Sequence, residues 1–453
     1  TTTSYGDSPY QSFSAIAGNT HLIDFDLLTQ MGLLKEADYA SVNFGDDPTS
    51  VDYERVFYAR RPILEIAVKN FLENQSFQAD FKHFEKSNRL WLDDFAEFMA
   101  IKEHFGNQAL QKWDDKKAVA RDPSALEKYR TMLAEQIQYF KVTQYFFFKQ
   151  WTELKNYANQ KGIQIIGDMP IYVAADSVEV WTKPELFQLD EERNPLFVAG
   201  VPADQFSATG QLWGNPLYAW EEHKKQGYAW WIHRIEESFK IYDVLRIDHF
   251  KGFSDYWQVD GKAEVAKDGS WQPGPGYDLF KAVKEQLGDL PIIAEDLGNI
   301  DDKARKLLTD CNYPGMKILQ FGFEDVSGES LDSPHYCIPH SIVYTGTHDN
   351  DVTNGWYNSL TEQQQQYIND YTHRYEDESI CQAMIRQLFA TVSNTAIATM
   401  QDVLDLPASS RMNVPSTIGG NWQWRMQQSD LTQDKKDFLE KMTTLYQRAN
   451  QEK

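Results

Sequence analysis

The sequence predicts an α/β protein built on a barrel of parallel strands, and three observations carry that prediction. Four short apolar runs end in an acid: 163–167 before Asp168, 244–247 before Asp248, 290–294 before Glu295, and 341–347 before Asp349. Runs of this length and composition read as buried strands. The segments between them are long enough for crossover helices, and strand-then-helix alternation continues to near residue 410 without a linker, low-complexity tract or repeat. In a (β/α)8 barrel the active site is built at the C-terminal edge of the strands. One acid at a strand end is ordinarily a helix cap or a loop salt bridge; four in the same register point to a site.

Along the chain, residues 1–22 are turn-rich and hold Ser8-Pro9-Tyr10-Gln11-Ser12. Residues 52–122 show helical apolar spacing, many charges and no strand run, which predicts a helical insertion. A long amphipathic helix is expected from Pro123 to about Gln160, capped by Ser124 and stopped at Lys161-Gly162. Its cluster Tyr145-Phe146-Phe147-Phe148 fits packing rather than a binding platform. Residues 172–220 form the longest stretch without periodicity, rich in Gly, Pro and aromatics, and are expected to be a functional loop insertion lying over the site. A helix follows at 228–240, and 268–276 reads as a turn. Residues 317–321 read as a further buried strand, 396–406 as a helix end and last strand, and 428–450 as a charged terminal helix.

A chain of 453 residues with formal charge −23 has a large core and no basic face for nucleic acid or anionic membrane. A barrel with insertions can run past ~400 residues as one domain, so 1–453 is expected to be a single catalytic domain. Cys311, Cys337 and Cys381 are scattered and lack metal-ligand spacing, as expected of buried thiols in a reducing compartment. No apolar stretch approaches the ~18 residues of a membrane span.

The most informative stretch is Val244-Leu245-Arg246-Ile247-Asp248-His249-Phe250-Lys251-Gly252-Phe253. Alternation along a strand puts Arg246 and Asp248 on one face. Burying such groups is costly unless they pair. A neighbouring arginine keeps an aspartate ionised and acceptor-only, which suits a nucleophile. The same residues also fit a buried structural ion pair. Carboxylates on separate strand ends suit glycoside cleavage, one attacking the anomeric carbon and a second, with raised pKa, protonating the leaving oxygen. Thirteen Trp and 23 Tyr could supply rings for sugar faces, although most such rings belong to cores. There is no G-x-S-x-G elbow, P-loop or H-E-x-x-H motif. Asp349-Asn350-Asp351 could hold Mg²⁺ or Ca²⁺ but lacks EF-hand spacing, so neither a metal nor a cofactor is expected.

Seven motifs, in order, resemble those of the amylomaltases, the 4-α-glucanotransferases (disproportionating enzymes) of glycoside hydrolase family 77 in the α-amylase clan. They are Ser8-Pro9-Tyr10-Gln11-Ser12 with Ala17-Gly18-Asn19; Gly167-Asp168-Met169-Pro170-Ile171-Tyr172-Val173-Ala174; Phe206-Ser207-Ala208-Thr209-Gly210-Gln211-Leu212-Trp213-Gly214-Asn215-Pro216; Arg246-Ile247-Asp248-His249-Phe250; Ala294-Glu295-Asp296-Leu297-Gly298; Thr347-His348-Asp349-Asn350; and Met412-Asn413-Val414-Pro415. The resemblance implies that Asp248 is the nucleophile, Glu295 the acid/base and Asp349 a third carboxylate on ring hydroxyls. It implies that Arg246 keeps Asp248 ionised, that Asp168, His249 and His348 contact the donor glucose, and that Tyr10 stacks on it. Gln211 and Trp213 would lie in a lid over the groove, and Asn413 would touch substrate. The substrates implied are α-1,4-glucan donors with glucose or maltooligosaccharide acceptors, for a cytoplasmic monomer or weak dimer.

The family starts earlier, with a strand, a helix and a second strand before the first motif, so the barrel's N-terminal strands and first helix are expected to be missing from this chain. Lys251 stands where the family often has arginine, Ser416 where it usually has glycine, and Gln205 where tyrosine is common. The leading expectation is a retaining 4-α-glucanotransferase. An α-amylase-type hydrolase would use the same carboxylates, differing in whether water is excluded. A glucan-binding protein without turnover would need one of the three acids replaced, and none is.

Overall fold

The computed structural model describes residues 2–3, 5–203, 209–298, 300–417 and 419–449. The chain divides into two compact units, one of Thr1–Asp46 with Asp52–Ile292, the other of Asp47–Val51 with Ile293–Lys453. Strands and helices alternate in each, so the fold is α/β as expected.

In the first unit the region expected to be a helical insertion carries helices Tyr53–Glu73, Gln78–Asn88 and Leu92–His104. Asp52 caps the first of them by accepting from the Arg55 amide at 3.1 Å. The expected single helix over 123–160 is two, Pro123–Met132 and Ala134–Gln160, broken at Leu133. Its cap is Asp122, not Ser124: the carboxylate accepts from the amides of Ser124 and Ala125, and Pro123 takes the first helical position, where a missing N–H costs nothing. Phe71, fully buried, packs edge-on against Phe81 and Phe146 and lies 5.3 Å from the Tyr145 ring centre. The aromatic cluster therefore joins helix to helix. Lys102 and Asp176, both buried, form an ion pair at 2.5 Å. Lys102 also donates to the Gln108 carbonyl and Asp176 accepts the Leu110 amide, so every charge in this buried contact is bonded.

Strand β1 (Ile166–Met169) is parallel to a strand later in the chain, with Asp168 opposite Arg246. Gly167 has no side chain because the Tyr242 ring fills its place; a Cβ there would come within 2.1 Å of it. The stretch expected to be loop, 172–220, contains two strands, β2 (Phe197–Val201) and β3 (Gln211–Pro216), before β4 (Val244–Ile247), the partner of β1. The turn expected at 268–276 is also partly a strand. β5 (Asp255–Asp260) and β6 (Ser270–Pro273) join β2 and β3 in an antiparallel sheet of order β3-β2-β5-β6. None of these short strands shows clean alternation: β2 is apolar throughout and slips register between Val198 and Gly200, while β3 ends on a proline and β6, an edge strand, ends on another.

The chain passes from the first unit to the second within β7 (Ile292–Ala294). In the second unit β8 (Gly315–Ile318), β9 (Ser341–Tyr344) and β10 (Thr395–Ile397) are parallel, in the order β10-β9-β8. The run expected to be one strand over 317–321 divides: β8 ends at Ile318 and helix Leu319–Glu324 begins at the next residue. Likewise 396–406 is strand first and helix second, with Thr399 capping helix Met400–Val403. Leu319, Phe323, Val343, Trp356 and Met384 form this unit's core.

Removing one partner of a fully bonded buried ion pair leaves a desolvated charge. Lys102→Met should therefore cost about 3 kcal/mol or more in urea unfolding, whereas the exposed Lys306→Met, whose partner Asp310 is half in water, should change stability by under ~1 kcal/mol.

Candidate active site

In the first unit the site is organised by Arg246, whose side chain is only 8% exposed. Its Nη1 lies 2.6 Å from both carboxylate oxygens of Asp168 and 3.1 Å from Oδ1 of Asp248. Parallel register sets Asp168 beside Arg246, and strand alternation returns Asp248 to the same face two residues later. The Asp248 amide donates to the Met169 carbonyl at 3.0 Å, extending the β1–β4 pairing past the last strand residue. One guanidinium thus faces two carboxylates that would otherwise repel.

After Asp248 the chain turns sharply. His249 takes a left-handed backbone conformation, φ 50°, ψ 51°, uncommon for a residue with a Cβ. Its ring meets Trp213 edge-to-face with centroids 4.9 Å apart, and burial, with a smaller contribution from Lys251, lowers its pKa to about 4. The ring is therefore neutral at pH 7. Gly252 leaves room for this arrangement: a Cβ there would meet Ile171 at 2.7 Å and His249 at 3.0 Å. Lys251 places its ammonium over the Trp271 ring, 4.5 Å from the centroid.

Trp213 donates its indole N–H to the Gln211 side chain at 3.2 Å, on β3. The adjacent Gly210, φ 69°, closes against the Val201 carbonyl, which a Cβ would approach to 2.3 Å. Tyr10 is half-buried, its amide donating to the Ser8 hydroxyl, and the neighbouring Gln11 reaches the Trp213 carbonyl at 3.5 Å. Gln205 and Phe206-Ser207-Ala208 lie outside the described residues.

The second unit carries Glu295, His348, Asp349 and Asn413. Glu295 follows β7 and accepts the Leu297 amide at 2.9 Å. Its neighbour Asp296 turns into the protein, accepts the Met316 amide at 2.6 Å and fills the space beside Gly315, where a Cβ would lie 2.3 Å from its carboxylate. Burial raises the Asp296 pKa.

Asp349 follows β9 in a turn closed by Asn350, whose side-chain oxygen accepts both the amide and the hydroxyl of Thr347. Its Oδ1 accepts from the Asn413 amide group at 2.7 Å, and its Oδ2 lies 3.5 Å from His348 Nε2. Two residues that sequence reasoning did not single out belong here. Arg411 donates from Nη2 to the Asp349 main-chain oxygen at 2.8 Å and from Nε to the Asn413 main-chain oxygen at 2.9 Å. Trp422, φ 62°, sets its ring 5.5 Å from that of His348. Arg411 precedes the Met412-Asn413 motif by one residue, and nothing local marks either as more than loop. Ser416 has φ 63°, the conformation that suits the glycine expected there.

The family model described as 4-alpha-glucanotransferase matches residues 1–432. A 4-alpha-glucanotransferase of Streptococcus pneumoniae serotype 4 is 54% identical over 450 residues, covering 99% of this chain and 89% of that protein. One from Clostridium butyricum is 42% identical over 451 residues, covering 99% and 91%. Among solved structures, the amylomaltase from Streptococcus agalactiae in complex with acarbose is 60% identical, covers 99% of this chain and 91% of its own, and superposes with a TM-score of 0.98.

Ser416→Gly should relieve left-handed strain, partly offset by the freer unfolded chain, and raise stability by up to about 1 kcal/mol in urea unfolding. A second expectation concerns pH. Burial lowers the pKa of His223 from 6.5 to about 4. Because the folded value lies below the unfolded one, the open chain takes up the proton first. The resulting loss of stability is absent above 6.5 and grows as the pH falls toward about 4. Wild type should therefore lose stability relative to His223→Gln between pH 7 and pH 5; a constant gap would contradict a neutral buried ring.

Proposed function

The chain belongs to the 4-alpha-glucanotransferase family, and from that membership we propose how its residues carry the activity. Its function is that of a 4-α-glucanotransferase, and the hydrolase alternative is not favoured. The proposed reaction is a retaining double displacement. Asp248 attacks the anomeric carbon of an α-1,4-glucan and holds the glycosyl chain covalently; the 4-hydroxyl of glucose or another maltooligosaccharide then takes it. Glu295 protonates the leaving oxygen in the first step and removes the acceptor's proton in the second. Asp349 binds ring hydroxyls as the sugar flattens toward an oxocarbenium ion.

The observation that carries this reading is the double ion pair of Arg246. A nucleophilic carboxylate must stay ionised, and a buried guanidinium within 3.1 Å favours the charged form. Asp168 shares that guanidinium and would hold donor hydroxyls with neutral His249, which can both donate and accept. His348 and Asn413 would contact the donor beside Asp349. Tyr10 would stack on the sugar, while Gln211 and Trp213 would cover it and exclude water.

The same reading takes the parallel strands as parts of a (β/α)8 barrel in one catalytic domain, with 52–122 as a helical insertion and 172–220 as the lid. The parallel β1–β4 pair and the β10-β9-β8 set, each with acids at C-terminal ends, support it. Three free cysteines fit a cytoplasmic monomer or weak dimer, and among the described residues no helix is long and apolar enough to cross a membrane.

Incubation with maltotriose should yield glucose plus longer oligomers; maltose and glucose alone would mean hydrolysis. Asp248→Asn should abolish turnover and keep glucan binding. Glu295→Gln should lose about 10²- to 10⁴-fold in kcat on oligosaccharides. α-Glucosyl fluoride needs no acid to leave, so Glu295→Gln should accumulate one added glucosyl unit by intact-mass spectrometry. An adduct on Asp248→Asn instead would reassign the nucleophile.

A further inference from the structure

We propose that Arg411 is a positioning residue for the third carboxylate, acting by clamping the Asp349 and Asn413 segments together through their main-chain oxygens. The inference rests on the reading of Asp349 as the carboxylate that binds ring hydroxyls. It stands on a closed circuit of three hydrogen bonds. Arg411 Nη2 reaches the Asp349 carbonyl at 2.8 Å and Nε reaches the Asn413 carbonyl at 2.9 Å. The Asn413 side chain returns to Asp349 Oδ1 at 2.7 Å.

The chemistry of the guanidinium explains why an arginine suits this place. Nε and Nη2 lie on one rigid planar edge, so two acceptors on that edge are held at a fixed separation. Here the acceptors belong to segments 64 residues apart in the chain. Fixing both carbonyls fixes both Cα positions, and the Asn413 side chain then sets the rotation of the Asp349 carboxylate. Asn413 is buried while Asp349 is not, so the amide is the firmer member of that bond. Loss of the clamp would let the carboxylate move by a fraction of an ångström to an ångström, and a misplacement of that size costs roughly 10²-fold in rate. Arg411 touches main chain and no reacting atom, so its effect passes through Asp349.

The test uses Arg411→Gln, Arg411→Lys, Asp349→Asn and the double variant Asp349→Asn/Arg411→Gln, each in the full chain. Arg411→Gln should lower kcat for maltotriose disproportionation by roughly 10- to 100-fold. KM should stay within about twofold, as for an interaction realised only in the transition state. The same loss should appear with α-maltosyl fluoride, because leaving-group protonation is not what fails. Arg411→Lys keeps the charge without the two-acceptor edge and should recover part of the rate. The double variant should be no slower than Asp349→Asn alone. A wild-type kcat in Arg411→Gln, a change confined to KM, full recovery by Arg411→Lys, or additive losses in the double variant would each overturn the clamp. Should Arg411→Gln fold poorly, the kcat-to-KM split in Arg411→Lys decides. Retention of kcat by Asp349→Asn would instead overturn the reading on which the clamp rests.

Discussion

The constraint on which this structure depends is how to hold carboxylates in place at the ends of strands. In the first unit the solution is ionic. Arg246 is buried, and its position directly opposite Asp168 on the neighbouring strand and two residues from Asp248 makes it the shared counter-ion of both. Without the arginine the two carboxylates would repel. A buried pair of this kind contributes little net stability, because desolvation offsets most of the attraction. Its value is in placement, which the role proposed for Asp248 requires.

In the second unit the partners of the carboxylates include neutral donors. Glu295 accepts the Leu297 amide, and Asp349 accepts from the Asn413 side chain, with His348 at 3.5 Å. Arg411 directs Nε and Nη2 at main-chain carbonyls, one of them that of Asp349 itself. Donors anchored in main chain or on a buried side chain hold a carboxylate in one rotation. Such placement is what the roles proposed for Glu295 and Asp349 require.

How much of this could be read from the sequence follows from the range of the interactions involved. The acids at strand ends, the Arg246–Asp248 face and the helices between 53 and 104 depend on neighbours two to four residues away, and the pattern displays them. The break at Leu133 and the cap at Asp122 are local too, but several polar residues compete and only the folded backbone decides. β2, β3 and β6 were missed because their pairing stabilises them, not their composition: Gly200, Gly214, Pro216 and Pro273 all read as loop. Residues 317–321 show the limit from the other side, since an apolar run suits a strand and a buried helix equally, and the divide after Ile318 is set by tertiary packing. Arg411 and Trp422 lie beyond any local signal. Their partners are an aspartate and a histidine more than sixty residues away.

Backbone strain marks the same loops. His249 and Trp422 both occupy left-handed conformations that cost a residue with a Cβ about 1 kcal/mol or more. Such strain persists only where surrounding contacts over-determine it. For His249 those contacts are the Trp213 edge and the void at Gly252; for Trp422, its amide bond to the Met412 carbonyl at 2.7 Å and the His348 ring. Asn421, whose side chain bonds both Val414 and Thr417, closes the loop that ends at Trp422. Each strained residue also carries the ring that fixes a proposed sugar-binding side chain, or is that side chain. The strain is thus located where a regular strand or helix could not aim the ring. A loop that presents Asp248 and His249 to the same side in succession has to break the two-residue alternation of the strand before it. A left-handed residue is the shortest way to do so.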